Sequence, residues 1–297
     1  MTEKTLVIVN GFAGKLDGPA KCALVKHGMH AAGLPGDMVI TNRPGHGLEL
    51  TRQAAAHGFT TIIAAGGDGT INEVVNGLMR TPDAPPHCRL GILPLGTAND
   101  LAYTLGLPTD IEAACRRIAA RQSRLLDVGQ VNGRYFINNS AVGLEPQVTI
   151  AQHRMRWLKG SGRYVVAALL TIAQPQFWDM RLDWDTGVYE GPLILVSVGN
   201  GSRTGGAFFM TPQAKPDDGQ LNFIFAVRMS RLRMLGLLPK TFSGKHIGHP
   251  LVGHNRTQKL EITTTTPTPI QADGEVFETA ATHITYQIFP GAVRVLA

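Results

Sequence analysis

The sequence predicts two domains: an α/β domain on a mostly parallel sheet, then a β-rich antiparallel domain. Three observations predict it. Early in the chain, continuous apolar runs alternate with amphipathic segments, as buried parallel strands and their covering helices do. Near Asp127 the pattern changes to many short β-like runs separated by turn residues. The chain has 297 residues, more than one ordinary core serves and about right for two. The expected division is 1–128 and 129–297.

Each element follows in order. "TLVIVN" is a buried strand ending at a glycine. A helix is expected over roughly 17–32, then "MVIT" as a strand. "GLELTRQAAAHG" reads as a helix closed by Gly58. "TTIIAA" is a further strand, and the glycine loop "GGDG" follows it. Ile71, Val74, Val75 and Leu78 then fall on one helical face. "RLGILPL" is a strand leading into "GTANDLAYTLGLP", and Ile111, Ala114, Cys115 and Ile118 mark another helix. This order predicts helices on both faces of a Rossmann-like sheet. Beyond it, "YFINN", "MRLDWD", "LILVSVGN", "LNFIFAV", "KLEITTTT", "HITYQIF" and "VRVLA" read as strands of an antiparallel sandwich. Residues 151–178 and 228–249 interrupt them with helical, basic–apolar character.

Bulk properties narrow the function classes. The net charge of +6 favours anionic partners without choosing among nucleotide, nucleic acid and acidic membrane. Cys22, Cys88 and Cys115 form no CxxC pair, which disfavours a zinc site or disulfide framework and favours a reducing, cytoplasmic compartment. The N-terminus shows no signal-peptide pattern. The longest apolar stretch, "YVVAALLTIA", falls short of the about 20 residues that span a bilayer.

The chemistry concentrates in loops. Gly66, Gly67 and Gly69 follow a strand and precede a helix, where backbone amides can cradle an anion. Thr70 and Glu73 have capping-box spacing, which puts the helix start at Thr70. The stretch is neither a P-loop nor the dinucleotide fingerprint, because GxGxxG fails at Asn72. Asp68 would repel a phosphate unless it works through a cation, a proton or a ribose hydroxyl; a plain capping turn is an equal alternative. "LPLGTAND" repeats the arrangement with Gly96, Thr97 as cap and Asp100. With the first strand's exit "NGFAGK", three loops at one sheet edge point to a nucleotide.

These residues resemble a family. "GGDGTINEVVNGL" with "GILPLGTANDLA" is similar to the diacylglycerol kinase catalytic domain, in its bacterial lipid kinase branch. The resemblance continues through "TNRPGHG", "DVGQVNGRYFINNSAVG", "VGNGSRTGGAFFMTPQAKPDDGQLN" and "QADGE", nearly the whole chain. One departure is the first loop, Asn10-Gly11-Phe12-Ala13-Gly14, where the family usually has N-P-x-S-G.

The resemblance implies an ATP- and Mg²⁺-dependent lipid kinase with its site in the cleft between the domains. Gly66, Gly67, Gly69, Thr70, Gly96 and Thr97 would line the ATP site, with Asn10, Thr41 and Asn72 as weaker contacts. Asp68, Asp100 and Asp127 would hold a catalytic Mg²⁺ directly or through water; taken alone, Asp127 reads as a strand-end cap. Asp273 would be the general base, with Glu275 orienting it or the metal. A D-G hairpin turn is the competing reading there, and both can hold. A structural Mg²⁺ would sit on the Asp218 side chain and the carbonyls of Lys215 and Gln220, against an ordinary D-D-G turn. Arg154, Arg156, Lys159 and Arg163 around Trp157, with Phe177 and Trp178, form one basic surface. Arg228, Arg231, Arg233, Lys240 and Lys245, interleaved with Met234, Leu235, Leu237 and Leu238, form a second. Both could lie against anionic membrane; solvated helix faces are the commoner explanation. No nucleic-acid partner is expected, and a homodimer is left open. The rivals are an NAD kinase and a regulatory protein of the same fold that has lost catalysis. The acceptor lipid is not readable.

Overall fold

A computed structural model describes residues 4–12, 17–82, 88–155 and 162–297. The chain forms two compact units, Met1–Val128 with Pro290–Ala297, and Gly129–Phe289. The expected second domain ran to residue 297; instead the chain re-enters the first unit at Pro290.

In the first unit the strands are β1 (Thr5–Asn10), β2 (Asp37–Thr41), β3 (Thr61–Gly66) and β4 (Arg89–Pro94). The helices are α1 (Gly18–Ala31), α2 (His46–Ala56), α3 (Asp68–Met79), α4 (Asp100–Thr104) and α5 (Ile111–Ala119). The sheet order is β2-β1-β3-β4, every pair parallel. The end of strand β13 (Glu275–Leu296) adds alongside β4, pairing Arg294 with Arg89 and Val295 with Leu90. Val7, Val9, Ile63, Ala65 and Leu93 pack with Val25 and Met29 of α1 and with Ile111, Cys115 and Ile118 of α5. The alternate residues Ile8, Ile62, Ala64 and Ile92 are buried too, and α2 and α3 form a second helical pair against these strands. Burial on both faces explains why the runs are continuous rather than alternating. Each fully buried Ile or Val contributes about 1.5–3 kcal/mol over exposure.

Two helix starts differ from expectation. Helix α3 begins at Asp68 with Gly67 as N-cap, two residues before Thr70. Both capping-box partners are drawn into tertiary bonds instead. Thr70 Oγ1 accepts from Asn10 Nδ2 at 2.9 Å, and Glu73 accepts from the Gly45 and Gly47 amides, both at 2.8 Å. Helix α4 begins at Asp100, with Asn99 in the left-handed region at φ 49° as its cap, and Thr97 is exposed before it. Asn99 holds that loop itself, accepting from the Gly96 amide at 3.0 Å and donating to the Gly96 carbonyl at 3.1 Å.

The second unit takes over within β5 (Ser123–Val131). It contains β6 (Arg134–Phe136), β7 (Asn139–Gly143), β8 (Trp178–Trp184), β9 (Gly187–Gly199), β10 (Leu221–Val227), β11 (Val252–Thr257), β12 (Lys259–Ala272) and most of β13. Its pairs are antiparallel, running β11-β10-β9-β7-β12-β13. Strands β9 and β12 are long enough to pair with β8 at one end and β7 at the other. Trp178, Leu182, Phe223, Ile262, Ile284 and Tyr286 lie in one core. A second core gathers Ile194, Phe208, Met210 and Ile224 with Met234 and Leu237.

The helical interruptions resolve as α6 (Leu144–Arg154), α7 (Gly162–Ala173), α8 (Arg231–Thr241) and a 3-10 turn at Lys245–Gly248. Helix α6 starts before residue 151, and residues 174–178 are not helical. "HITYQIF" and "VRVLA" belong to the single strand β13, and β11, "VGHNRT", was not expected. Among the described residues no helix is long and apolar enough to cross a membrane.

Candidate active site

In the first unit the two glycine loops pack against each other backbone to backbone. The Leu95 amide donates to the Gly66 carbonyl at 2.9 Å. A Cβ on Gly96 would stand 2.4 Å from Gly67 Cα, and one on Gly66 would stand 2.1 Å from Thr70 Oγ1. Packing therefore accounts for Gly66, Gly67 and Gly96. It does not account for Gly69, which is exposed and whose Cβ would meet nothing within 4 Å. A glycine inside a helix costs about 1 kcal/mol relative to alanine, so open space there calls for another reason.

Asp68 ties the loops together. Its Oδ1 accepts from the Leu101 amide at 3.2 Å, so a side chain of α3 caps α4. Asn10 performs a similar tie at the end of β1, accepting from the Phe12 amide at 2.8 Å while donating to Thr70. Ala13 and Gly14 of that loop lie outside the described residues. Thr41 is buried at the end of β2. Asn72 is buried on α3 and accepts from Asn76 Nδ2 at 3.2 Å.

One group was missed. Lys21 is 1% exposed, and its Nζ donates to the Asn10 carbonyl at 2.8 Å. Burial holds its pKa below the ordinary lysine value. Lys21, Val25, Gly28 and Met29 share the buried stripe of α1, so a lysine in register with apolar residues was the available signal.

The three expected metal carboxylates are not one cluster. Among the described residues no three His, Cys, Asp or Glu side chains are gathered so as to hold an ion. Asp127 is buried, and its Oδ1 accepts from the Gly291 amide at 2.8 Å, pinning the return of β13. Asp100 is buried in the first turn of α4, beside the amide that Asp68 caps. Mg²⁺ is usually held by one or two carboxylates with waters and substrate phosphates, so Asp68 with Asp100 suits that donor set.

In the second unit, Asp273 and Gly274 form the two-residue loop joining β12 to β13, with φ 46° and 82° and Ala272 paired to Glu275. Two positive φ values define a type I′ hairpin. The Asp273 carboxylate turns back onto the chain before β7. Oδ1 accepts from the Asn138 and Asn139 amides, both at 2.9 Å, and Oδ2 from the Ile137 amide at 3.0 Å. Its own amide donates to the Asn139 carbonyl at 2.7 Å. Glu275 pairs with Arg134. Arg134 also lies over the Phe277 ring.

Asp218 accepts from the Gln220 amide at 3.1 Å within its own turn, and Arg256 stands 4.0 Å from its other oxygen. A guanidinium already faces the charge that the structural Mg²⁺ on Asp218, Lys215 and Gln220 was to balance.

An apolar cavity of about 100 Å³ lies in the second unit, walled by α6, α7, α8 and strands β9 and β10. Outside it, α8 divides its residues cleanly. Met234 and Leu237 are buried, whereas Arg231, Leu232, Arg233 and Leu235 are exposed, Leu232 by 81%. Arg228 lies over the Phe177 ring at 4.8 Å. Trp178 is in the core and is no surface group. Arg156, Trp157 and Lys159, and the side chain of Arg154, lie outside the described residues.

Two linked strand-exit loops on a parallel sheet are followed by a β-rich unit with an apolar cavity, and the family models assign this chain to the kinases. The family model of the diacylglycerol kinase catalytic domain matches residues 4–131, and that of the YegS C-terminal NAD kinase beta sandwich-like domain matches residues 139–297. The chain belongs to the bacterial diacylglycerol kinase-like lipid kinase family, and it is a lipid kinase. Similar proteins include a diacylglycerol kinase of Staphylococcus aureus, 32% identical over 279 residues, covering 93% of this chain and 87% of that one. Another is the diacylglycerol kinase of Staphylococcus haemolyticus, 32% identical over 248 residues, 83% of this chain and 74% of that one. Among solved structures, a candidate diacylglycerol kinase from Bacillus anthracis superposes with a TM-score of 0.82 at 27% identity, covering 99% of this chain and 97% of that one.

Proposed function

We propose that the protein transfers the γ-phosphate of ATP to the free hydroxyl of diacylglycerol or a closely related lipid. The observation that carries this reading is the open backbone at Gly69, at the start of α3, beside two glycine loops whose other glycines are filled. Amides at a helix start receive phosphate. Asn10, Thr70, Asp68 and Asn99 fix the loops that would meet it. Lys21 adds a cation behind β1. Asp68 and Asp100 are the carboxylates that would hold Mg²⁺, which when bound neutralises phosphate charge.

Asp273 is the proposed general base. Three backbone amides orient its carboxylate, and a base must be oriented to take a proton from an attacking hydroxyl. The apolar cavity of the second unit supports an acyl-lipid acceptor. Exposed Leu232 and Leu235 among Arg231 and Arg233 support peripheral contact with an anionic membrane.

The test is incubation with labelled ATP, Mg²⁺ and a mixed lipid extract on anionic or neutral vesicles. Label is expected in lipid, faster on anionic vesicles at low salt. Asp273→Ala should bind ATP normally and transfer nothing; near-normal transfer by the folded variant would sink the base assignment. Label in NADP but not in lipid would favour the NAD kinase alternative.

A further inference from the structure

The apolar cavity of the second unit holds one group that an acyl chain alone leaves unexplained. Glu145, in the first turn of α6, lines it and is 5% exposed. Neither carboxyl oxygen meets a partner at hydrogen-bond geometry among the described residues, and the nearby Ser197 hydroxyl is likewise left without one. A buried polar group without a partner is costly, and native structures rarely keep one without a use. Burial pushes the Glu145 carboxyl up to about 7, with the nearby Ser197 hydroxyl pulling slightly the other way.

The surroundings supply no counter-charge. No lysine or arginine lines the cavity among the described residues. His246 does line it, but its Nε2 is bonded to the Met210 carbonyl at 3.0 Å, and burial lowers its pKa, which keeps it uncharged at neutral pH. Tyr286 of β13 is held neutral by burial and shares a hydrogen bond with Ser140 of β7 at 3.1 Å. Tyr164 of α7 lies against Phe208. β12 brings no charged side chain to the cavity wall. A protonated carboxyl in this setting is a hydrogen-bond donor awaiting an acceptor.

We propose that Glu145 donates a hydrogen bond to an ester carbonyl of an acyl lipid seated in this cavity, and so selects ester-linked neutral lipids over ether-linked or cationic ones. The inference rests on the lipid-kinase reading above and names a specificity residue within it. A hydrocarbon tail gives affinity with little discrimination; a buried donor discriminates, because a ligand without the acceptor leaves it unpaired. An ammonium lipid would need Glu145 ionised, the form that burial disfavours.

The experiment measures binding to the full chain, without ATP, of dioctanoylglycerol, its dioctyl ether analogue and sphingosine, each in neutral detergent micelles. Below pH about 7 the wild type should favour the ester over the ether by about five- to tenfold, and that preference should fade above it. Glu145→Gln keeps a donor and should hold the preference at both pH values. Glu145→Leu should bind both lipids equally. Ester preference retained in Glu145→Leu would overturn the proposal. So would sphingosine binding that strengthens with pH and is lost in Glu145→Gln, since Glu145 would then be a counter-ion. Binding of ester and ether alike by the wild type rejects the role of Glu145 but leaves the lipid reading standing; binding of no lipid rejects both.

Discussion

Gly69 and Gly96 look alike in sequence, each a glycine near a strand exit, yet their neighbours separate them. Gly96→Ala would drive a methyl into the Gly67 backbone, an overpacking cost of about 1–3 kcal/mol. Gly69→Ala meets nothing and should raise helix stability by up to about 1 kcal/mol, while weakening ATP binding tenfold or more where phosphate approaches that backbone. Thermal melting paired with nucleotide titration checks both; unaltered ATP binding in Gly69→Ala would remove it from the site. Glu145 gives a prediction of opposite character. Its folded pKa, about 7, is raised above the ordinary 4.5, so the folded state binds the proton more tightly. Its stability contribution is present below pH about 4.5 and lost as pH rises through about 7. Glu145→Gln should match the wild type in acid and exceed it by about 3 kcal/mol above neutrality. Urea melts at both pH values measure the gap. Gly69 was legible from the sequence, since a glycine between strand and helix invites attention. Glu145 was not: nothing in "AVGLEPQV" says that its carboxyl faces apolar walls rather than water.

At the level of elements, Asp68 joins two helices that the sequence suggested were capped separately. Asp68→Ala should cost about 1 kcal/mol by uncapping α4. Asp68→Asn separates its two assignments, because an amide oxygen still accepts from Leu101. It should recover the stability and not the transfer rate if the carboxylate also organises Mg²⁺; recovery of both would leave Asp68 a cap only. The strands of the first unit were legible because they are buried on both faces and so read as unbroken apolar runs. The helix starts were less so. Thr70 and Glu73 satisfied a local pattern, yet Asn10, Gly45 and Gly47, distant in sequence, supply their actual partners. Local rules fail where a tertiary bond competes for the same side chain. The metal residues divide the same way. Asp68 reaches the first turn of α4, which also carries Asp100, whereas Asp127 accepts from Gly291, a partner that no local reading could supply.

At the scale of the whole molecule, the change of pattern near Asp127 marked the first division, and the change back went unseen. Strand β13 runs from the hairpin at Asp273 to Leu296, and Pro290-Gly291 at its passage between units reads only as a turn between two strands of one domain, so nothing there marks a change of unit. Deleting residues 290–297 should therefore damage the first unit: it removes the strand beside β4, the amide that Asp127 binds, and Leu296 from the core. Loss of ATP binding together with a lower melting temperature is the expected outcome. A truncated chain that binds ATP like the full one would show that the pairing is dispensable.

That strand has a consequence for how the protein is made. A ribosome releases the first 128 residues early, but one edge of their sheet and part of their core emerge only after residues 129–289. The first unit cannot complete itself before then and must wait, with β4 as an unpaired edge, while the second is translated. Nascent chains stalled before Pro290 should be the aggregation-prone and chaperone-dependent species, and competence to bind ATP should arise late and all at once.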